Sequence, residues 1–150
     1  MAATARGKLG KDCRVYRNTA TWASPTWSEV TDVKDLTVGD SKSEADASTR
    51  ASDIKRVRTA MRELSIDIAM LWDPDDAGFV AFRDAYLNGT PIELLILTGD
   101  VETAGNEGPR ADWEVTKLER TENLEELATA NVTIKPGYTA NLPTWYTVST

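Results

Sequence analysis

ELSIDIAMLWD, at residues 63–73, is the stretch of sequence that decides the fold. Its apolar side chains recur at every second residue, and Glu63, Ser65 and Asp67 lie between them. A period of two over this length predicts a β-strand with one face in the core and the other in water. The predicted core-facing residues are Leu64, Ile66, Ile68, Met70 and Trp72.

A single helix is predicted directly after this strand. Asp73 is a good N-cap, and Pro74 suits the first helical position. Asn88-Gly89 supplies a left-handed residue of the kind that ends many helices. Aromatic residues at helical spacing form the predicted buried stripe, namely Phe79, Phe82 and Tyr86. Because the helix joins two strands, we expect this stripe to pack on the sheet.

Further strands are predicted on both sides of the helix. Residues 128–135 repeat the alternation, and PIELLILT at residues 91–98 is apolar on both faces, as in a central strand. Shorter strands are predicted at residues 13–17, 29–38, 54–57 and 112–120. One helix in a strand-rich chain predicts a mostly β fold, a β-sandwich or barrel with a single flanking α-helix. We expect one domain over residues 1–150, with its core at about 10–136 and a C-terminal extension at 137–150.

Three segments are longer or more irregular than short turns require. Residues 39–53, GDSKSEADASTRASD, predict a long inter-strand loop, and a loop of this length in a compact domain usually has a function. Residues 99–110 contain three glycines and predict a flexible hairpin tip. The end of the chain carries Tyr138, Trp145 and Tyr146 beside prolines. It is too aromatic for a disordered tail, so it needs a surface to lie on.

The composition narrows the classes of function. The chain has 17 basic and 24 acidic side chains, no histidine and one cysteine, Cys13. The lack of histidine removes nucleophile–histidine pairs, histidine metal sites and the usual general base near neutral pH. The net charge of −7 disfavours binding driven by neutralisation of nucleic-acid phosphates. We therefore expect no catalytic residues, metal or cofactor, no membrane span, and a buried or half-buried thiol at Cys13.

Candidate sites for chemistry each have a simpler interpretation. The acidic run at residues 73–76 faintly resembles a calcium-binding loop, but helix capping accounts for it. The four glutamates within residues 119–126 could supply a carboxylate pair for glycoside hydrolysis, yet they are more typical of a solvated turn. Trp22 and Trp27 flank a turn and could bind a sugar, although an interface or core role is the better interpretation.

A local basic patch follows the predicted loop and consists of Lys55, Arg56 and Arg58. No aromatic residues interleave with it, as a stacking platform for nucleic acid would require. It is better matched to acidic surface, either in the same chain, at Glu44 and Asp46, or on another copy.

The order of these segments resembles that of the major tail proteins, or tail-tube proteins, of long-tailed bacteriophages. The similarity is carried by three groups of stretches within about residues 10–136. They are VKDLTVGD with EADASTRAS, LSIDIAMLWD with its helix and NGTPIEL, and LEELATANVTIKP. None is a catalytic signature, and their order and spacing carry the resemblance.

The resemblance implies a non-enzymatic structural protein of the virion tail, assembled in the cytoplasm of a bacterial host. Its subunits would form homo-hexameric rings that stack into a tube, with strands from all six closing an inner barrel. DNA would pass the lumen without specific binding, helped by acidic charge that repels phosphate. Other partners would be the tape measure, the tail terminator and the distal tail or baseplate proteins.

Candidate assembly residues follow from the same resemblance, because the long loop of such proteins reaches a neighbouring subunit or ring. In this chain the loop candidates are Lys42, Glu44, Asp46, Thr49 and Arg50. The basic patch is a candidate inter-subunit contact, and Tyr138, Trp145 and Tyr146 are candidate tail contacts. Two alternatives stay open, the inner tube of a contractile or secretion-type injection system and a monomeric carbohydrate-binding β-module.

Overall fold

The alternating stretch is a β-strand in the computed structural model, which describes residues 7–149. The strand extends from Val57 to Leu71, and its even-numbered residues from Leu64 to Met70 are buried. Trp72 follows the strand and is half-buried against Phe79, with ring centroids 4.7 Å apart. The predicted inward face is therefore confirmed. Residues 1–6 and 150 of the predicted domain lie outside the described part of the chain.

The described residues form eight strands, one α-helix and a short 3-10 turn at Gly10–Asp12. The strands are β1 Arg14–Asn18, β2 Trp27–Glu29, β3 Val33–Asp46, β4 Val57–Leu71, β5 Ile92–Leu97, β6 Glu107–Thr121, β7 Thr129–Pro136 and β8 Thr144–Thr147. The helix, α1, is Ala77–Asn88 and lies between β4 and β5. No helix in residues 7–149 has the length and apolar character that a membrane crossing needs.

All strand pairs are antiparallel and belong to one sheet with the order β2-β1-β5-β6-β7-β4-β3, in which β8 also pairs with β6. The mostly β class with a single flanking helix is confirmed, and the sheet is not closed. One core cluster joins residues of strands that are distant in this order, such as Val15 of β1 and Ile66 of β4. The sheet therefore wraps around its core, and α1 packs Phe79 and Phe82 into it.

The helix begins later than predicted. Its N-cap is Asp76, whose carboxylate accepts a hydrogen bond from the Phe79 amide at 3.1 Å. Asp73 is not the cap, because its carbonyl and carboxylate accept the amides of Asp76 and Asp75 in a preceding turn. The predicted stop is confirmed, since Gly89 has a φ of 66°.

The buried stripe of the helix differs from the prediction at one residue. Phe79 and Phe82 are fully buried, whereas Tyr86 is 42% exposed. Ala85 is the next buried position, three residues after Phe82, and this step leaves Tyr86 at the solvent-facing side. The small side chain of Ala85 therefore takes the place predicted for the aromatic ring.

Two predictions near the start of the chain are wrong. The strand expected at residues 29–38 is interrupted after Glu29, where Val30 turns into the core, and β3 begins only at Val33. The thiol of Cys13 is exposed rather than buried, because it lies just before β1 and directs its Sγ to the carbonyl of Leu9, 3.7 Å away.

Candidate assembly surface

β3 and β4 form a long two-stranded ribbon, and only one end of it belongs to the body of the sheet. They pair from Val33–Met70 to Asp46–Val57, but the pairing of β4 with β7 starts at Ile66. We call residues 39–65 the arm and the remaining described residues the body. By the strand rise, the arm extends about 30 Å beyond Ile66. Within residues 7–149, the arm is a long two-stranded surface that pairs with no other strand.

The loop predicted at residues 39–53 is wrong over its first half. Lys42, Glu44 and Asp46 lie in β3, and only Thr49 and Arg50 lie in the connection at the end of the arm. The strand expected at residues 54–57 is likewise absent as a separate element, since β4 begins at Val57. The sequence misled because a ribbon with both faces in solvent needs no alternation of apolar and polar residues.

Side chains hold the middle of the arm together. Arg62 of β4 binds both carboxylate oxygens of Asp40 of β3, with its Nε 2.7 Å from Oδ1. This hydrogen-bonded guanidinium lowers the pKa of the Asp40 carboxyl and raises that of Arg62. A bulge between Lys42 and Glu44 shifts the register beyond this pair. Bulges of this kind bend a strand and increase its twist.

The arm tip, residues 47–58, is an ordered turn. The amide of Ala47 donates to the carbonyl of Arg56 at 2.9 Å, and the amide of Arg56 donates to Ser48 Oγ at 3.0 Å. Asp46 accepts the amide of Ser48 at 2.9 Å, and this hydrogen bond lowers the pKa of the Asp46 carboxyl. Arg56 also donates to Thr49 Oγ1 at 3.3 Å. The tip is thus shaped before any partner binds.

The basic patch lies on this tip. Lys55, Arg56 and Arg58 are exposed, and none of them forms an ion pair with a carboxylate among residues 7–149. Large apolar side chains of the arm are exposed beside them, with Ile54 at 74%, Val57 at 58% and Met61 at 83%. Exposed apolar groups next to unpaired charges are typical of a surface that another protein covers.

One face of the sheet is polar and uncovered in strands β3, β4, β7 and β6. Thr133 Oγ1 donates to Asp67 Oδ1 at 2.8 Å across the β4–β7 pair. Lys135 lies 3.9 Å from Glu63 on the same two strands. The opposite face of these strands holds Ile66, Val132 and other core residues. A sheet with one dry and one wet face can line an aqueous channel.

This four-stranded part of the sheet has two free edges within residues 7–149. β3 has a neighbour, β4, on one side only, and β6 beyond Trp113 pairs with β7 alone. Both edges therefore present unpaired backbone amides and carbonyls, which favour pairing with another strand. The two edge strands run in opposite directions, because all four strands alternate.

The C-terminal segment folds back on the body. β8 pairs with the first residues of β6, from Glu107–Thr147 to Arg110–Thr144. Tyr146 packs against Trp27 in an edge-to-face contact with centroids 6.3 Å apart. Trp145 is half exposed, with the Arg62 guanidinium 6.0 Å from its ring, and Tyr138 is fully exposed. The aromatic tail was expected to need a surface to lie on, and the body of its own chain provides part of that surface. Contacts of Tyr138, Trp145 and Tyr146 with other copies stay a prediction.

The rings of Trp22 and Trp27 lie against the guanidinium group of Arg110, a residue that the sequence did not indicate as important. The guanidinium carbon of Arg110 lies 4.0 Å from the Trp22 ring centroid and 5.0 Å from that of Trp27. Arg110 also forms an ion pair with Glu93 at 2.9 Å, and both of these side chains are almost buried. Both indole rings therefore stack on protein, which fixes the β1–β2 connection to β6. Only the pairing of distant strands brings these residues together.

Several of the acidic residues in the two candidate runs have structural partners. Asp76 caps the helix, and Asp73 closes the turn before it. Burial and the nearby carboxylates of Asp76 and Asp73 raise the pKa of Asp32. Glu122 pairs with Arg120 at 2.6 Å in the exposed β6–β7 connection. These contacts give Asp73, Asp76 and Glu122 structural roles.

Several solved structures of tail assemblies share this fold. The tail of an empty GTA particle, determined with C6 symmetry, matches with a TM-score of 0.73 and 12% identity, over 95% of this chain and 100% of that one. The SPP1 tail tube matches with a TM-score of 0.72 and 14% identity, over 93% and 80%. The tube-terminating cap of the anti-feeding prophage matches with a TM-score of 0.67 and 10% identity, over 98% and 95%. The chain therefore has the tail-tube fold. No protein-family model and no curated protein sequence matches it.

Proposed function

We propose that this chain is the structural subunit of a phage tail tube, which self-assembles into stacked six-membered rings through which DNA passes. The observation that carries the proposal is the full-length match in fold to a tail determined with C6 symmetry. The arm, the free edges and the polar face are the features that such an assembly uses. The role is mechanical, and it requires no catalytic residue, metal or cofactor.

The two free edges support closure of the ring. The β3 edge of one subunit can pair with the free edge of β6 in the next, and the new pair is antiparallel like the rest of the sheet. Each subunit contributes an even number of strands, so copies join without a change of direction. A barrel closed in this way covers both free edges of the four-stranded part, which a free subunit could not achieve.

The polar face then lines the lumen. Five acidic and two basic side chains of β3, β4, β7 and β6 belong to the solvent-facing set: Asp35, Glu63, Asp67, Glu114, Glu119, Lys117 and Lys135. The excess of carboxylates would repel DNA phosphates and keep DNA from adhering. In the virion tail, the other partners of the tube would be the tape measure, the tail terminator and the distal tail or baseplate proteins.

The inner tube of a contractile or secretion-type injection system is the second candidate. The likeness to the tube-terminating cap and to the baseplate of the anti-feeding prophage supports it, although the baseplate match is weaker, with a TM-score of 0.60. The carbohydrate-binding module is less favoured, because Trp22 and Trp27 both stack on Arg110.

Negative-stain microscopy of the purified protein tests the proposal. Rings or tubes are expected at micromolar concentration. A variant in which Asn-Gly replaces residues 43–61 joins the paired residues Lys42 and Arg62 by a tight turn and removes the outer arm. We expect it to keep the fold, because the lost residues contribute nothing to the core, and to form no tubes.

The substitution Thr90→Ala changes an exposed residue just after α1, far from the arm in the sequence, and is the control. It should still form tubes. A wild-type protein that stays monomeric at all concentrations, with tryptophan fluorescence that responds to sugars, would overturn the proposal in favour of the binding module.

A further inference from the structure

We propose that the arm tip of one subunit docks on the β6–β7 connection of a subunit in the adjacent ring. This inference rests on the proposed function and names the surface that receives the arm. We call the receiving segment, residues 122–128, the acidic leucine loop.

The acidic leucine loop exposes apolar groups in a way that no contact within residues 7–149 explains. Leu124 is 101% exposed and Leu127 is 73% exposed. A turn holds them outward, since the Glu126 amide donates to the Asn123 carbonyl at 3.2 Å and Asn123 Nδ2 donates to Glu126 Oε2 at 2.9 Å. Two exposed leucines in an ordered turn are typical of a protein-binding surface.

The charges of the two segments are opposite and equal. The arm tip contains four cations, Arg50, Lys55, Arg56 and Arg58, and one acid, Asp53, which gives a net charge of +3. The acidic leucine loop contains three glutamates and no cation, which gives −3. Each segment also exposes two large aliphatic side chains. Such a pair has the apolar centre and charged rim of a specific interface.

The positions of the two segments exclude a contact within one subunit. The acidic leucine loop lies at the end of the sheet that holds the last residue of β4, Leu71. There Thr129 pairs with Leu71 on one side and with Thr121 on the other. The arm tip lies at the other end of β4, about 45–50 Å away by the strand rise. The arm tip can therefore reach such a loop only on a second copy of the chain. A contact between opposite ends is heterologous, and it repeats without limit along an axis, as a growing tube requires.

Stacking and ring closure then use different surfaces. The rings close through the edges of β3 and β6, whereas the stacking contact uses the ends of the strands. Charge changes at the ends should therefore shorten tubes and leave rings intact. This separation makes the docking contact testable without loss of the subunit's other interactions.

A charge exchange tests the contact. The arm variant K55E/R58E and the loop variant E125K/E126K each place like charges against the unchanged partner. Each variant alone should lower the mean tube length about tenfold or more at equal protein concentration. The variant that combines all four substitutions restores opposite charges and should recover tubes within about twofold of the wild-type length. Tube length is measured by negative-stain microscopy.

Matched controls keep the charges and change the side chains. K55R/R58K and E125D/E126D should both form tubes of wild-type length. Circular dichroism and thermal unfolding of every variant verify that the subunit is folded. The substitution Leu124→Ser tests the apolar part separately, and it should also shorten tubes while its unfolding temperature stays unchanged.

The outcomes separate this inference from the proposed function. A wild-type protein without rings or tubes would contradict the proposed function itself. Wild-type tubes together with normal tubes from E125K/E126K would contradict the docking contact alone. The docking contact is also contradicted if K55E/R58E and E125K/E126K each lose their tubes and the variant with all four substitutions does not regain them. Added salt provides a further check, because screening should shorten wild-type tubes and lengthen those of K55E/R58E and of E125K/E126K.

Discussion

β3 and β4 run through both the body and the arm, but their apolar side chains are mostly buried in the body and mostly exposed in the arm. In the body, β4 places Ile66, Ile68 and Met70 in the core with almost no exposure. In the arm, the same strand exposes Val57 and Met61. Burial stabilises the strand position from Leu64 towards the body. The outer arm is held by backbone pairing, by surface hydrogen bonds and by the Asp40–Arg62 ion pair. An isolated two-stranded ribbon is marginally stable in water. The difference indicates that the body is stable through its own core, whereas the arm needs contacts with a partner to cover its exposed side chains.

Replacement of the largest buried side chain of the body should produce the largest effect. Trp113 of β6 is fully buried, and its indole Nε1 donates to the carbonyl of Leu94 at 3.1 Å. Trp113→Ala should lower the free energy of unfolding by about 3–5 kcal/mol, because it leaves a cavity and removes the hydrogen bond of the indole. Urea unfolding followed by circular dichroism measures the change. Trp113→Phe fills most of the space and should cost clearly less; an equal cost would argue against the cavity as the cause.

An intermediate effect is expected at the contact that fixes the β1–β2 connection to the body. Arg110→Ala leaves the nearly buried Glu93 without its cation and removes the stacking partner of Trp22 and Trp27. The free energy of unfolding should fall by about 3 kcal/mol. Arg110→Lys keeps the charge without the planar guanidinium and should recover only part of this loss. Full recovery by lysine would show that charge alone matters, and a fluorescence change of the two tryptophans would report the lost stacking.

The smallest effect is expected in the arm. Arg62 holds the pKa of Asp40 below its ordinary value, so the folded pKa is depressed relative to the unfolded one. The pair therefore stabilises the arm above the unfolded pKa of about 4, and this stabilisation is lost as the pH falls through the lower folded pKa. NMR titration of the Asp40 carboxyl should show the depressed pKa in the wild type and a return towards the ordinary value in Arg62→Gln.

The overall stability of that variant should hardly change, because both side chains are on the surface. A large drop in the unfolding temperature of Arg62→Gln would contradict the separation between body and arm.

The sequence was a good guide to the body and a poor one to the arm. The alternation at residues 63–73 and the aromatic pair Phe79 and Phe82 correctly predicted which faces enter the core. In the arm, residues 39–46 have polar side chains at nearly every position, which predicted a loop where β3 continues. Their strand conformation comes from pairing with β4, and no pattern in the segment itself records it. The helix start failed for a related reason, since three aspartates within residues 73–76 could each act as the cap.

The candidate site divides in the same way. The sequence showed the basic patch and the aromatic tail as clusters of residues of one type. It did not show where these clusters lie in the fold. Only the structure places Lys55 and Arg58 at the end of a projecting ribbon, and Leu124 at the opposite end of the sheet. Arg110 had no local signal at all, because its partners lie 17 residues away at Glu93 and 88 away at Trp22.

The sequence by itself determined the strands of the core, their inward faces, the single helix and its end at Gly89. These features follow from a local period of two, from helical spacing and from the freedom of glycine at positive φ. The tertiary structure alone decided the order of strands, the free edges, the length of the arm and the separation of the two charged segments. Those features depend on backbone pairing between residues far apart in the chain, which leaves no periodic trace in the residues that it joins.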